Sequence, residues 1–325
     1  MSISHDPPLK NGRFFNPHIE GIRRNFKDVL LWQMGFYADR LKTPIVPAEF
    51  VYPIAPPACR AGAPTAIWIN HSTYLISVNG LNFLTDPIWS ERCSPVPFLG
   101  PKRRHAPAIA LNKLPKIDYV LISHDHYDHL DKASVVNLFK LFPQATWIVP
   151  LGVKKWFHKL GISNVFELSW WQEMTLNERV KVTAVPAQHF SGRCAGGIND
   201  TLWAGWIVSL PIDHRCFYFV GDTGYNPYDF KQIGARHSKI DLSLIPIGSY
   251  SPRQFMSPVH VEPRDAVRIH KEVNSRLSLG MHRKTFRLSD EPMHQPPFDL
   301  LHALQEEGVD PATFFPIEPG VAINW

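Results

Sequence analysis

The sequence predicts an α/β fold. Short β-branched and aromatic runs, among them Tyr119-Val120-Leu121-Ile122, Val180 to Val185 and Asp241 to Ile247, alternate with segments of helical periodicity such as those after Asp131 and Glu262. Several of these runs empty into clusters of histidine, aspartate and glycine, so polar groups gather where strands end. The clusters spread from His124 to at least His189 and Asp222. Both halves of the chain must therefore fold around one site, although 325 residues would allow two domains and 44% hydrophobic content suffices for a sizeable core.

Residues 1 to about 22 carry no periodicity and read as an arm. From Arg23 to about Leu41, the residues Phe26, Val29, Leu30, Trp32, Met34, Phe36 and Tyr37 give a helix with a broad apolar side. It suits either docking on the main domain or, since Trp and Tyr favour that boundary, peripheral contact with a membrane. Pro44, Pro47, Pro53, Pro56, Pro57 and Pro64 then impose an extended connector. The chain divides into residues 1–64 (arm, helix and connector) and a folded body over 65–325.

Within the body, Ala66 to Ile69, Thr73 to Val78 and Leu81 to Thr85 read as three strands, the last two joined by a tight Asn79-Gly80 hairpin turn. Residues 86–115 form a long proline-rich loop with Lys102, Arg103, Arg104 and His105, and loops of that length tend to border sites. Asp131 caps a helix through Ser134, Val135, Leu138 and Leu141. Trp147 to Val149 is a strand, Leu151 to Leu160 a helix stopped by Gly161, and Val165 to Leu168 another strand. Strands over Val180 to Val185, Phe217 to Val220 and Asp241 to Ile247 follow. Glu262-Pro263 opens a helix to about Val273, with proline tolerated in the first turn, and Leu277 to Met281 ends in His282.

The stretch Ser123-His124-Asp125-His126-Tyr127-Asp128-His129 carries the chemistry. Three imidazoles and a carboxylate within six residues, at the exit of a strand, are the donors that zinc, manganese or iron accept. In a turn leaving a strand, His124 and His126 can converge on one ion while Asp128 and His129, around the bend, face a second.

Composition narrows the partners. A net charge of +5 biases the molecule mildly towards anions such as phosphate esters or acidic headgroups, and no run of five like charges suggests a nucleic-acid arm. Cys59, Cys93, Cys194 and Cys216 form no Cys-x-x-Cys pair, so neither a zinc knuckle nor a disulfide framework is indicated, and reduced thiols in the cytoplasm fit best. The first sixteen residues lack the apolar core of a signal peptide, and no apolar run is long enough to span a bilayer.

The His-x-His-x-Asp-His stretch resembles the signature of the metallo-β-lactamase fold superfamily. Phe83-Leu84-Thr85-Asp86-Pro87, Gly100-Pro101-Lys102-Arg103, Val149-Pro150-Leu151-Gly152, Gln188-His189, Gly221-Asp222-Thr223-Gly224-Tyr225, Ile245-Pro246-Ile247-Gly248 and Ala266-Val267-Arg268-Ile269-His270 look like its N-acyl-phosphatidylethanolamine-hydrolysing phospholipase D branch, over about residues 60 to 320. The resemblance implies a four-layered αββα sandwich. It also implies a full ligand set: His124, His126 and His189 on one ion, Asp128, His129 and His282 on the other, Asp222 bridging both, and Asp86 orienting the histidines from behind. His71 lies where the family tends to have Gly-His, but Asn70 departs from that pattern and His71 is not taken as a ligand.

Two divalent ions, zinc by preference with iron or manganese tolerated, would acidify a water for hydrolysis, with Asp128 and Asp222 as the catalytic carboxylates. The implied substrate is N-acyl phosphatidylethanolamine or a related phospholipid. Arg283-Lys284 stand where relatives have an aromatic and a glycine. They would either grip an extra phosphate or block a bulky lipid, and Tyr250 and Arg253 join them as candidate substrate residues. The alternatives are a lactonase or phosphodiesterase for a small soluble phosphorylated substrate, with Arg283-Lys284 as clamp, and a non-catalytic metal-binding protein. No nucleic-acid partner is expected, and a homodimer is compatible with the sequence.

Overall fold

Two seven-stranded mixed sheets stack face to face, with helices on the outside. The structure is a computed structural model describing residues 8–19, 46–47, 50–54, 59–193, 197–237 and 239–325. The helix expected over 23–41 lies outside the described residues, as does Cys194.

A short hairpin, β1 (Leu9–Lys10) with β2 (Arg13–Phe14), opens the described chain. The first large sheet takes β3 (Thr65–Asn70), β4 (Thr73–Val78), β5 (Leu81–Thr85), β6 (Tyr119–Leu121), β7 (Thr146–Pro150) and β8 (Val165–Leu168), with helices α1 (Lys132–Leu141) and α2 (Lys154–His158) in its crossovers. The second takes β9 (Glu173–Asn177), β10 (Val180–Val185), β11 (Gly205–Leu210), β12 (Arg215–Phe219), β13 (Leu242–Pro246), β14 (Ser278–Met281) and β15 (Phe314–Pro316). Its helices are α3 (Asp229–Arg236), α4 (Arg253–Met256), α5 (Pro263–Glu272) and α6 (Gln295–Glu306). The final strand, β16 (Ala322–Asn324), returns to the first sheet beside β3.

Alternation along the strands builds the layers. Trp68, Leu121 and Ile148 join the core between the sheets, together with Trp206, Phe217 and Phe219, whereas their neighbours Ile69, Val120 and Val149 pack under α1 and α2 with Val135, Leu138 and Phe157. Both faces of each sheet are thus covered, which explains the nearly continuous apolar runs. Each such large side chain contributes about 1.5–3 kcal/mol on burial.

Local chemistry fixes the ends of the elements. Asn79 and Gly80 both take positive φ, 44° and 82°, in the turn between β4 and β5. The Asp131 carboxylate accepts the Ser134 N–H at 3.1 Å and caps α1. The helix expected from Leu151 begins only at Lys154. Gly152 turns at φ +92°, and the N–H groups of Gly152 and Lys154 donate to the Glu167 carboxylate at 3.0 and 3.2 Å in place of a first helical turn.

The topology also defines two opposite edges. The sheets run parallel from β5 to β8 and from β12 to β15, so the C-terminal ends of β6, β12, β13 and β14 share one edge of the sandwich. Among the described residues, no helix is long and apolar enough to cross a membrane.

Candidate metal centre

The side chains singled out as ligands come from four strand exits: β6 delivers Ser123 to His129, β10 His189, β12 Asp222 and β14 His282. Their backbones approach closely. Gly221 sits at φ +68°, and a Cβ there would lie 2.7 Å from Ser123 Cβ, so only glycine lets the Asp222 turn pass the β6 exit.

His124, His126 and His189 form the first group, with one ligand atom each lying within 4.8 Å of the others. His124 Nε2 is 2.8 Å, and His189 Nε2 3.2 Å, from His126 Nδ1. Two nitrogens sharing a tetrahedral ion at ~2.0 Å stand about 3.3 Å apart, so the spacing fits a common cation. The far nitrogens are fixed: His189 Nδ1 donates to Val259 O at 2.9 Å, and His124 Nδ1 lies 2.9 Å from Ser123 Oγ, which itself donates to Asp86. Burial, reinforced at His124 by His129 and its neighbours, holds both imidazoles well below their usual pKa, hence neutral and ready to ligate.

Asp128, His129 and His282 form the second group, with His71 as a fourth member. His71 Nε2 lies 3.0 Å from Asp128 Oδ2, and His129 Nε2 lies 3.3 Å from the same oxygen. Behind His129, its Nδ1 meets Asp86 Oδ2 at 2.6 Å, and Asp86 also accepts the Ser123 N–H at 2.7 Å. Burial lifts the Asp86 carboxyl, yet its three donors favour the carboxylate; the shared proton belongs on His129, which Asp222, Asp128 and Asp86 hold up against burial.

Asp222 stands between the groups. Its Oδ2 lies 3.1 Å from His282 Nε2, 3.2 Å from His129 Nε2 and 3.9 Å from His189 Nε2. Asp222 Oδ1 and the Nε2 atoms of His129 and His282 are buried without a formed hydrogen bond, the pattern of donors turned towards cations. Burial raises Asp128 and Asp222, but the facing imidazoles, His129 first, outweigh it and keep both carboxylates ionised.

Other expected residues lie elsewhere. Arg283 packs its guanidinium over Trp68 and donates to Ile317 O at 2.6 Å, while Lys284 pairs with Glu318. Tyr250 donates to the Asp299 carboxylate. Arg253 bonds His260 O and Asp265, supporting the loop that carries Val259 and His260. Arg103 donates to Ser90 O and Ile88 O, holding the long loop together.

Three residues gain a role only in the structure. His71 closes on Asp128. His260 Nδ1 lies 3.9 Å from Asp222 Oδ2 on the more open side, with its side chain 13% exposed. Asn16, from the arm, brackets His189: its Nδ2 donates to His189 O at 2.7 Å and its Oδ1 accepts the His189 N–H at 3.1 Å. No local signal marks Asn16, which is 173 residues away in sequence.

Fold and site together define a metal-dependent hydrolase. Residues 81–283 match the family described as "Beta-lactamase superfamily domain". The chain belongs to the metallo-β-lactamase superfamily, in its branch resembling N-acyl-phosphatidylethanolamine-hydrolysing phospholipase D. It is 40% identical over 265 residues to "N-acyl-phosphatidylethanolamine-hydrolyzing phospholipase D 1" of Caenorhabditis elegans, covering 78% of this chain and 74% of that protein. An uncharacterised protein of Mycobacterium tuberculosis is 42% identical over 323 residues, 95% of this chain and 83% of its own. The solved structure of a metallo hydrolase from Ignicoccus hospitalis superposes with a TM-score of 0.61 at 18% identity, covering 81% of this chain and 98% of that one, a likeness of fold.

Proposed function

We propose that the chain is a phospholipase D-type phosphodiesterase that cleaves N-acyl phosphatidylethanolamine, or a closely related phospholipid, to an N-acylethanolamine and phosphatidic acid. The carrying observation is the convergence of His124, His126, His189, Asp128, His129, His282 and Asp222 at one edge, in a chain 40% identical to a relative named for that reaction. His124, His126 and His189 would hold one ion, Asp128, His129 and His282 the other, with Asp222 shared. The nitrogen-rich set favours zinc.

Divalent ions so held supply an acidified water and Lewis-acid stabilisation of charge at phosphorus. The protein's own part is orientation and charge. Asp128, steadied by His71, accepts a hydrogen bond from the attacking water and fixes its direction. Asp222 keeps the two halves of the site in register. His260, beside Asp222 at the open side, donates to the phosphoryl oxygens or the leaving alkoxide. The ionised pair Asp128 and Asp222 balances the positive charge of the ions.

The lipid reading is favoured over a small soluble phosphate by the partners of Arg283 and Lys284, which are Ile317, Trp68 and Glu318. Beyond these two residues opens a cavity of about 1190 Å³ lined by Phe50, Val51, Ile54, Met293 and Pro297, large enough for acyl chain. Contact of residues 23–41 with a membrane, and a homodimer, belong to the same reading.

The test is hydrolysis of N-acyl phosphatidylethanolamine in detergent micelles by purified protein, with chelation and zinc add-back, followed by mass spectrometry. Chelator-sensitive release of N-acylethanolamine and phosphatidic acid is expected. Cleavage of bis-p-nitrophenyl phosphate without any lipid turnover would retain the hydrolase and discard the lipid.

A further inference from the structure

At the edge of the sandwich opposite the metal centre, Arg60, Arg215, Lys239, Arg276, Asn324 and Trp325 line a cleft of about 550 Å³ around the buried Asp241. Arg215 and Asp241 stand at the starts of β12 and β13 and Arg276 just before β14, whereas Asp222 and His282 follow the ends of β12 and β14. Five-residue strands separate the two edges by roughly 17 Å. We infer that this cleft is a binding site for a small phosphate-bearing anion.

Charge and geometry carry the inference. Four cations line the cleft, and three of them face one carboxylate. Arg215 Nη1, Lys239 Nζ and Arg276 Nε stand 3.8, 3.7 and 3.7 Å from Asp241 Oδ1, gathered around it without closing into hydrogen bonds. Asp241 Oδ2 instead accepts the Cys216 N–H at 2.9 Å, which pins the carboxylate at the floor. Arg215 is one-third exposed and Lys239 and Arg276 more than half exposed, so their heads reach solvent and can turn onto an anion.

Here three polar atoms stay buried without a hydrogen-bond partner: Arg215 Nε, Asp241 Oδ1 and Trp325 Nε1, on residues of which Asp241 is 1% and Trp325 4% exposed. Phosphate offers acceptor oxygens in several directions at once, matching guanidinium forks, an ammonium and an indole N–H. Asp241 Oδ1 is left to accept from a hydroxyl, as on a protonated phosphate or a hydroxylated ester. An adjoining cleft of about 280 Å³ shares Arg215, Lys239 and Asp241 and adds His214, giving room for an organic group.

The experiment is calorimetric titration of the full-length, metal-loaded protein with inorganic phosphate and with glycerol phosphate at constant ionic strength. It compares wild type, Arg215→Gln/Arg276→Gln, Lys239→Met and His126→Ala; Lys239 is 65% exposed, so its variant should fold normally. The expected result is a phosphate site weakened roughly tenfold or more in the double variant and severalfold in Lys239→Met, retained in His126→Ala, with metal-dependent hydrolysis by the double variant unchanged. Equal affinity in wild type and both cleft variants overturns the proposal. So does loss of the site in His126→Ala alone, or binding of phosphatidic acid vesicles without binding of free phosphate or glycerol phosphate.

Discussion

His71 Nε2 lies 3.0 Å from Asp128 Oδ2, and the backbone holds it there: His71 O accepts from Trp68 Nε1 at 2.8 Å and from His282 N at 3.0 Å. Burial, and then His282, pushes its pKa down to about 3, so at neutral pH it is a neutral imidazole donating through Nε2 to the carboxylate. In the proposed centre it positions a ligand of the second ion. His71→Ala should lower metal affinity at that ion by roughly 10–100-fold and leave the first ion's affinity nearly intact. Competitive chelator titration resolves the two steps, and His71→Gln, which keeps an N–H donor, should recover part of the loss.

Asp86 balances a buried histidine. Removing it leaves the His129 Nδ1–H and the Ser123 N–H and O–H buried without their acceptor, so Asp86→Ala should destabilise the metal-free protein by about 3–5 kcal/mol. Asp86→Asn, which retains an acceptor for Ser123, should cost less. Urea unfolding of the chelated variants measures both, and equal stability of Asp86→Ala and wild type would remove Asp86 from this role.

Asn16 ties the arm to His189, a ligand of the first ion in the proposed centre. Losing both amide contacts to His189 should cost about 1–3 kcal/mol and free the loop that carries the ligand. Asn16→Ala is therefore expected to release metal to a chelator faster than wild type at unchanged overall fold. Identical release rates would make the arm a mere attachment.

The centre titrates in a definite direction. In the metal-free chain burial pulls His282 down, but Asp222 and Asp128 hold it up at about 9. A raised pKa stabilises fully below the unfolded value of about 6.5 and is lost as pH climbs through the folded one. Asp128 and Asp222, held well below the carboxylate range, keep their contribution until strongly acid pH. Metal-free protein should thus lose on the order of 2–3 kcal/mol between pH 6.5 and 9. Ligation needs the deprotonated imidazole, so metal affinity should rise over the same interval. Unfolding of chelated and loaded protein at both pH values checks the opposite slopes.

Much of this was legible in the sequence because strand exits are marked locally: an apolar run followed by histidine and aspartate marked His124, His126, Asp128 and His129, and the family resemblance added Asp222 and His282 at further strand ends. The Asn79-Gly80 turn and the Asp131 cap were legible for the same reason. Edge strand β9, with alternate residues exposed, gave no apolar run to read. The start of α2 was misplaced because Glu167, far along the chain, takes the N–H groups that a helical turn would have used. His71, His260 and Asn16 acquire their roles from contacts that span 38 to 173 residues. The partners of Arg283 depend on how β15 and β16 close the sheets, which no local pattern encodes.

The most direct test of the account is metal stoichiometry by mass spectrometry on the purified chain, wild type beside Asp222→Ala and His126→Ala. Two divalent ions per wild-type chain, one in His126→Ala and a marked loss from both positions in Asp222→Ala are the predicted result. A single ion in the wild type, or two tightly held ions in Asp222→Ala, would contradict a paired centre bridged by Asp222.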